Sequence, residues 1–194
     1  MTAELKKRIL TSIILFFATI FCILIHKLVF VLLLIVTLFI CFDEWSNINE
    51  KYFKKNKQNN QKYFFVQLVG LIYLFIFLGA SIALRGNKYE SAIFFIIILS
   101  ICIFSDIGGY VFGKVIGGKK LTKISPNKTI SGSFGSFIFS ILPVFLFNLQ
   151  NYASVSFDVL PKNILLCLFV SLICQLGDLL ISYFKRLNKI KNTG

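Results

Sequence analysis

Two aspartates lie inside long apolar segments of this chain, where an unpaired carboxylate is costly. Asp106 comes eight residues before Lys114, and Asp178 comes seven residues before Lys185. On helices that run in the same direction, at about 1.5 Å per residue, both carboxylates would lie at one depth, roughly 10–12 Å from the basic edge of the membrane. A charge at such a depth costs a few kcal/mol or more unless it is paired or binds a cation.

The matching depth predicts one divalent-cation site that Asp106 and Asp178 share. Oxygen ligands without additional His or Cys favour Mg²⁺ over zinc. The residues leave two alternatives open at this point. Each aspartate could pair separately with a lysine, or Asp106 could cap a helix that is broken at Gly108 and Gly109.

A loop rich in lysine, serine and threonine follows Asp106. In "KKLTKISPNKTISGSFG", residues 119–135, the lysines, hydroxyls and free backbone N–H groups suit phosphate oxygens. The stretch "GKVIGGKK", residues 113–120, matches only part of a phosphate-loop pattern, because Lys120 stands where Ser or Thr would bind Mg²⁺. The small residues of this region instead predict close helix packing: Gly109, Gly113, Gly117, Gly132, Ser136 and Ser140.

The residue inventory argues against nucleophilic catalysis of the Ser-His-Asp or Cys-His kind. His26 is the only histidine, and it falls between the first two apolar segments, on the face opposite the aspartates. The five cysteines form no CxxC pair and all lie in apolar runs, so they predict neither disulfides nor a metal site.

The elements that must position these residues are membrane helices. Of the 194 residues, 57% are hydrophobic and only 15% are charged, with a mean hydropathy of +0.81. This composition predicts an all-α integral membrane protein, a polytopic bundle forming a single domain over 1–194. We expect about six spans, at 9–25, 28–42, 63–84, 91–112, 133–149 and 163–184, the first of them a retained span rather than a signal peptide.

The basic residues predict the orientation of the bundle. Seventeen of the 21 Lys and Arg residues fall in the N-terminus, in loops 43–62 and 113–132, and in the tail. The positive-inside rule therefore places both termini and both loops in the cytoplasm. A net charge of +13 on one face favours anionic lipid headgroups and phosphorylated substrates as partners, and no folded basic module suggests nucleic acid.

Three segments resemble one enzyme family in order and in motif. They are "SDIGGYVFGKVIGGKK", "KISPNKTISGSFGS" and "GDLLISYFKRLNKIKNTG", accompanied by "DEW" at 43–45. They are similar to the D-x-G-A-Y-x-x-G, S-P-x-K-T-x-E-G and G-D-L-x-E-S-x-x-K-R-x4-K-D motifs of the bacterial phosphatidate cytidylyltransferases, also called CDP-diacylglycerol synthases. The motifs cover about 60 residues, and with the spans most of the chain aligns.

The resemblance implies a Mg²⁺-dependent reaction, CTP + phosphatidate → CDP-diacylglycerol + pyrophosphate, in a bacterial inner membrane. It implies Asp106, Asp178 and Lys128 as catalytic residues, with the two aspartates as metal ligands and a second cation left open. It further implies a set of substrate-binding residues that belong to the same motifs: Ser125, Lys128, Thr129, Ser182, Lys185 and Arg186. A homodimer is compatible with it.

The chain also departs from the family pattern. Ser131 and Ile181 stand where the family has Glu, and Asn192 stands at a usual Asp position among the metal ligands. The family signature continues to H-G-G-x-x-D-R-x-D, which these residues do not include, so we expect a C-terminally truncated form that turns over little CTP. Two alternatives are a small cation-coupled transporter and a CTP-dependent polyprenol or phytol kinase.

Overall fold

A computed structural model of the chain describes residues 3–56, 60–122, 125, 128–148 and 159–187. The described residues form seven helices: α1 Ala3–Ile25, α2 Lys27–Asn56, α3 Asn60–Arg85, α4 Tyr89–Val115, α5 Ile130–Ser140, α6 Leu142–Asn148 and α7 Pro161–Leu187. Within the same ranges the only β pairing is one isolated antiparallel bridge between Lys120 and Thr129. The predicted all-α fold class is therefore confirmed. The helices divide into two units, Met1–Ile96 and Ile97–Gly194.

Five helical segments of the described residues are long and apolar enough to cross a membrane. They are Lys27–Lys54, Asn60–Arg85, Tyr89–Val115, Ile130–Asn148 and Pro161–Phe184, and a shorter apolar helix covers Ile13–Ile25. Large apolar side chains such as Phe64 and Leu165 are about 70% exposed, which suits a lipid environment. The protein is a multi-pass membrane protein. Its orientation across the membrane stays a prediction.

In the first unit, His26 separates α1 from α2. The ring Nδ1 of His26 accepts a hydrogen bond from the backbone N–H of Leu28 at 3.2 Å, and its carbonyl accepts from Phe30 N at 3.2 Å. The ring thereby satisfies one of the donors that the start of α2 leaves without an intrahelical partner. The single histidine is a helix cap.

Most of the segment 43–62, which the sequence predicts as a loop, is helical. Helix α2 continues to Asn56 and α3 begins at Asn60. Polar residues alone do not end a helix, and this stretch contains no Gly or Pro. Trp45, Asn49 and Phe53 recur every fourth residue, and the last two are at most 9% exposed. The indole of Trp45 lies so close to Gly70 that a side chain at Gly70 would overlap it. Packing between α2 and α3 thus extends the hairpin beyond its apolar part.

In the second unit, the predicted span 133–149 is broken at Ile141 into α5 and α6. Pro143 has no backbone N–H, so it cannot continue the hydrogen-bond ladder. The hydroxyl of Ser140 donates to the Phe137 carbonyl at 2.7 Å, and Ile141 N–H donates to the Ile138 carbonyl at 3.3 Å. These bonds occupy carbonyls that the break would otherwise leave without partners in an apolar medium.

Helices α4 and α5 contact each other through glycine. A Cβ built on Gly108 or Gly135 would overlap atoms of the other helix, and a Cβ on Gly132 would lie 2.8 Å from the Gly109 carbonyl oxygen. Packing by Gly109, Gly113, Gly132 and Ser136 is therefore as the sequence predicts. Gly117 is a correction: it lies beyond the end of α4 with φ +64° and open space where a side chain would be. It serves the turn that follows α4.

Candidate functional site

A small cavity in the second unit collects the residues that the sequence singles out. Its volume is about 190 Å³, and its lining comes from α4, the segment before α5, α5 itself and α7. Asp106, Lys128, Thr129 and Asp178 all contribute to the lining. Pockets for whole small molecules usually measure about 300–1,000 Å³, so this cavity has the size for a phosphate group and an ion rather than for an entire nucleotide.

Lys128 and Asp178 form an ion pair across this cavity. The Nζ of Lys128 donates to Oδ2 of Asp178 at 2.7 Å. The side chains are 29% and 57% exposed, respectively, so the pair is open to solvent and to ligands. A lysine fifty residues away in sequence thus meets one of the two aspartates that the sequence placed inside the membrane.

Asp106 lines the same cavity as this pair and is exposed to it. Asp106 comes from α4 and Asp178 from α7, so two helices bring the carboxylates together. Separate lysine partners for the two aspartates fit less well, because both aspartates line one cavity and Asp106 has no ion pair of its own among the described residues.

The segment before α5 reaches the cavity by folding back on the residues after α4. Leu121 N–H donates to the Lys128 carbonyl at 2.8 Å, and Ile130 N–H donates to the Lys119 carbonyl at 3.0 Å. Gly117 and Gly118, with φ of +64° and +104°, turn the chain just before this pairing. The pairing fixes Lys128 above the cavity although it belongs to no helix.

Thr129 has a structural role at the start of α5. Its hydroxyl accepts from Gly132 N–H at 3.1 Å as the N-cap of the helix, and it lies 3.0 Å from the Ser131 hydroxyl. Ser131, which stands at the Glu position of the resembled motif, donates to the Gly117 carbonyl. The expectation of free backbone N–H groups in this loop is wrong at six positions, where the N–H has a protein partner: Leu121, Ser125, Lys128, Ile130, Gly132 and Ser133.

Of the remaining predicted substrate-binding residues, Ser125, Ser182 and Arg186 are not among those that line this cavity, and the side chain of Lys185 lies outside the described part of the structure. Ser125 is 8% exposed, and its backbone contacts shape the turn to Lys128. Ser182 follows Asp178 by one turn of α7, with Lys185 and the exposed Arg186 one turn further. Their contacts with substrate stay predictions. Asn192 lies outside the described residues.

A row of hydrogen-bonded neutral side chains lies beside the carboxylates. These residues belong to no sequence motif and were not predicted. Gln175, on α7 and in the cavity lining, accepts through Oε1 from the Ser133 hydroxyl of α5 and lies 3.4 Å from the Ser171 hydroxyl. Ser171 is fully buried and its hydroxyl is 2.7 Å from that of Ser105 on α4. These hydrogen-bonded side chains join the three helices that surround the site. Their only signal in the sequence is polar residues at three- and four-residue spacing inside apolar helices.

The described residues fit a Mg²⁺ ion that binds together with a phosphorylated substrate. Among them, no group of three or more His, Cys, Asp or Glu side chains is arranged to hold a metal. Mg²⁺ commonly uses one or two carboxylates, retains several waters and takes further oxygens from substrate phosphates. Asp106 and Asp178 supply that minimal donor set, and Lys128 supplies a positive charge for phosphate oxygens.

The fold and this cavity define a multi-pass membrane protein with a carboxylate and lysine site suited to phosphate groups. Residues 48–194 match the model of the cytidylyltransferase family. The chain therefore belongs to the cytidylyltransferase family, as the motifs predict.

Curated relatives carry a more specific name. The chain is 37% identical over 134 residues to the phosphatidate cytidylyltransferase of Staphylococcus epidermidis, covering 66% of this chain and 46% of that protein. It is 36% identical over 137 residues to the phosphatidate cytidylyltransferase of Rickettsia bellii, covering 66% of this chain and 56% of that protein. The chain thus spans about half the length of the curated relatives it matches. No solved structure matches it.

Proposed function

We propose that this chain acts as a phosphatidate cytidylyltransferase, which transfers CMP from CTP to phosphatidate, and that its Asp106 cavity binds the reacting phosphates. The observation that carries the proposal is the cavity in which Asp106, Asp178 and Lys128 meet from α4, α7 and the segment before α5. Family membership and the names of the relatives support the same substrates.

The reaction requires little of the protein beyond placing and neutralising charge. A phosphate oxygen of phosphatidate attacks the α-phosphorus of CTP, the bond from that phosphorus to the bridging oxygen breaks, and pyrophosphate leaves. The nucleophile is already an anion, so no histidine base is needed, which agrees with the role of His26 as a helix cap. Positively charged groups of the site must instead offset the negative charge that builds up on the phosphates.

The acidic and the basic residues of the site would have different roles in the reaction. Asp106 and Asp178 would hold Mg²⁺, which when bound neutralises triphosphate oxygens. Lys128 would leave or share Asp178 and donate to a phosphate oxygen, because its pair is partly exposed and so is weak enough to exchange. The lipid phosphate would enter from the membrane and CTP from the aqueous side.

The test uses the purified 194-residue chain in detergent, with two readouts. Isothermal titration should detect CTP binding that requires Mg²⁺. A coupled assay should detect slow pyrophosphate release when phosphatidate is added, in keeping with the low turnover that the motifs predict. Diacylglycerol or a polyprenol replaces phosphatidate as the control substrate, because a lipid kinase would transfer the terminal phosphate of CTP to an alcohol and release CDP. CDP release from those substrates, or a folded chain that binds no CTP with Mg²⁺, would contradict the proposal.

A further inference from the structure

A second polar cavity lies in the first unit, where α1 ends beside the start of α2 and α3 ends beside the start of α4. Its volume is about 520 Å³, and its polar lining consists of His26, Lys27, Arg85, Asn87 and Tyr89. None of these residues takes part in the Asp106 cavity. The proposed cytidylyltransferase chemistry therefore gives them no role.

Arg85 is a buried cation whose described partners are all neutral. It is only 4% exposed, its Nε and Nη2 donate to the Ile23 carbonyl at 3.1 and 2.8 Å, and its Nη1 donates to the Gly86 carbonyl at 3.2 Å. A guanidinium has five N–H donors, so these three bonds leave two for further acceptors. Within the described ranges, no acidic side chain forms an ion pair with it.

Capping of α1 explains part of this arrangement. Ile23 lies in the last turn of α1, where carbonyls carry a partial negative charge equivalent to about half an electron. That partial charge does not balance a full positive charge, and it does not account for the cavity in front of the guanidinium. A buried charge without a full counter-charge is expensive near or within a membrane.

A second cation faces the same cavity. The Nζ of Lys27 donates to Oδ1 of Asn87 at 2.6 Å, which is again a neutral partner. Lys88 is adjacent in sequence and exposed. The nearest acid in the sequence, Glu90, is exposed and is not among the ion pairs of the described residues. The cavity thus presents two cations and an amide with no acid bound to them.

The surroundings of the cavity favour a lipid over a free ion. Ile25 and Leu28 belong to its lining and are 52% and 67% exposed, so apolar surface adjoins the cations. We propose that the cavity binds the phosphodiester headgroup of an anionic phospholipid, with Arg85 and Lys27 donating to its oxygens and the acyl chains lying against Ile25 and Leu28. Guanidinium groups are well suited to phosphate oxygens. The predicted orientation assigns this lipid to the outer leaflet.

The test measures lipid retention by native mass spectrometry of the full chain. The protein is purified in detergent and titrated with phosphatidylglycerol or phosphatidylcholine of identical acyl chains. Wild type should retain one phosphatidylglycerol in preference to phosphatidylcholine. Lys27→Gln should weaken that binding about tenfold, the effect of losing one charge-assisted hydrogen bond.

Lys162→Gln is the matched control, since Lys162 is an exposed cation on the same predicted side and carries the same charge. It should leave phosphatidylglycerol binding unchanged. An equal loss in both variants would show that bulk charge attracts the lipid and would overturn the proposal. Arg85→Gln should also lose the lipid, but Lys27→Gln decides the outcome because Lys27 does not hold α1.

A competition experiment separates a lipid from a free anion. Millimolar inorganic phosphate should not displace phosphatidylglycerol, because the apolar contacts contribute to binding. Displacement by phosphate, or equal retention of phosphatidylcholine, would overturn the assignment to an anionic lipid.

Discussion

Replacing Lys128 by methionine separates binding of the substrate from stability of the fold. The Lys128–Asp178 pair is 29% and 57% exposed, so solvent screens it, and its loss should change the free energy of unfolding by only about 0–1 kcal/mol. The same lysine aimed at a phosphate oxygen makes a hydrogen bond between charged groups, worth roughly 1.5–3 kcal/mol. The dissociation constant for CTP with Mg²⁺ should therefore rise roughly 10- to 150-fold.

The assay is calorimetric titration of CTP into the purified protein, with the thermal midpoint measured on the same samples. Lys54→Met is the control, because Lys54 forms an exposed ion pair with Glu50 at 2.5 Å on α2, which contributes nothing to the Asp106 cavity. It should leave CTP binding unchanged. Equal weakening in the two variants would refute the assignment of Lys128, since it would mean that CTP responds only to overall positive charge.

Three further changes test the site and the packing that supports it. Asp106→Asn or Asp178→Asn should abolish Mg²⁺-dependent CTP binding and lower any turnover about 10³-fold or more. Carbonate extraction should show normal membrane insertion of both variants. Near-normal CTP binding in either variant would contradict a shared metal site. Gln175→Leu should lower turnover more than it raises the Michaelis constant for CTP, because Gln175 positions α5 and α7 through Ser133, and a change confined to the thermal midpoint would make its role structural only. Gly135→Leu should destabilise the fold by about 1–3 kcal/mol in urea titration, because a Cβ there overlaps α4, whereas Gly79→Leu has open space and should not.

The charged residues of the site could be predicted from sequence because membrane physics makes them conspicuous. Asp106 and Asp178 stand out in apolar segments where an unpaired charge is costly, and each is followed by a basic edge at nearly the same distance. The glycine contacts between α4 and α5 could also be predicted, since their four-residue spacing places them on one helix face.

The neutral parts of the site could not be predicted, because their roles depend on how the helices are rotated. Gln175, Ser171 and Ser105 meet only when α4 and α7 take one particular rotation, and a buried serine carries no such information in sequence. Contact of Thr129 with phosphate stays a prediction, whereas its role as the N-cap of α5 could not be predicted from the residue type. The end of α2 differs from the prediction because polar residues by themselves favour a loop, whereas contacts with α3 extend the helix.

The break at Ile141 has a consequence for how the protein is made. Alone, α5 has 11 residues and α6 has seven, whereas a spanning helix needs about 20. Ile130–Asn148 is also the least hydropathic of the five spanning segments, so the translocon should hold it less firmly than the rest. We expect this segment to enter the bilayer stably only alongside α4, whose glycines receive α5, and α7, whose Gln175 bonds to it. Assembly of the Asp106 cavity and insertion of the helix that lines it would then be a single biosynthetic event.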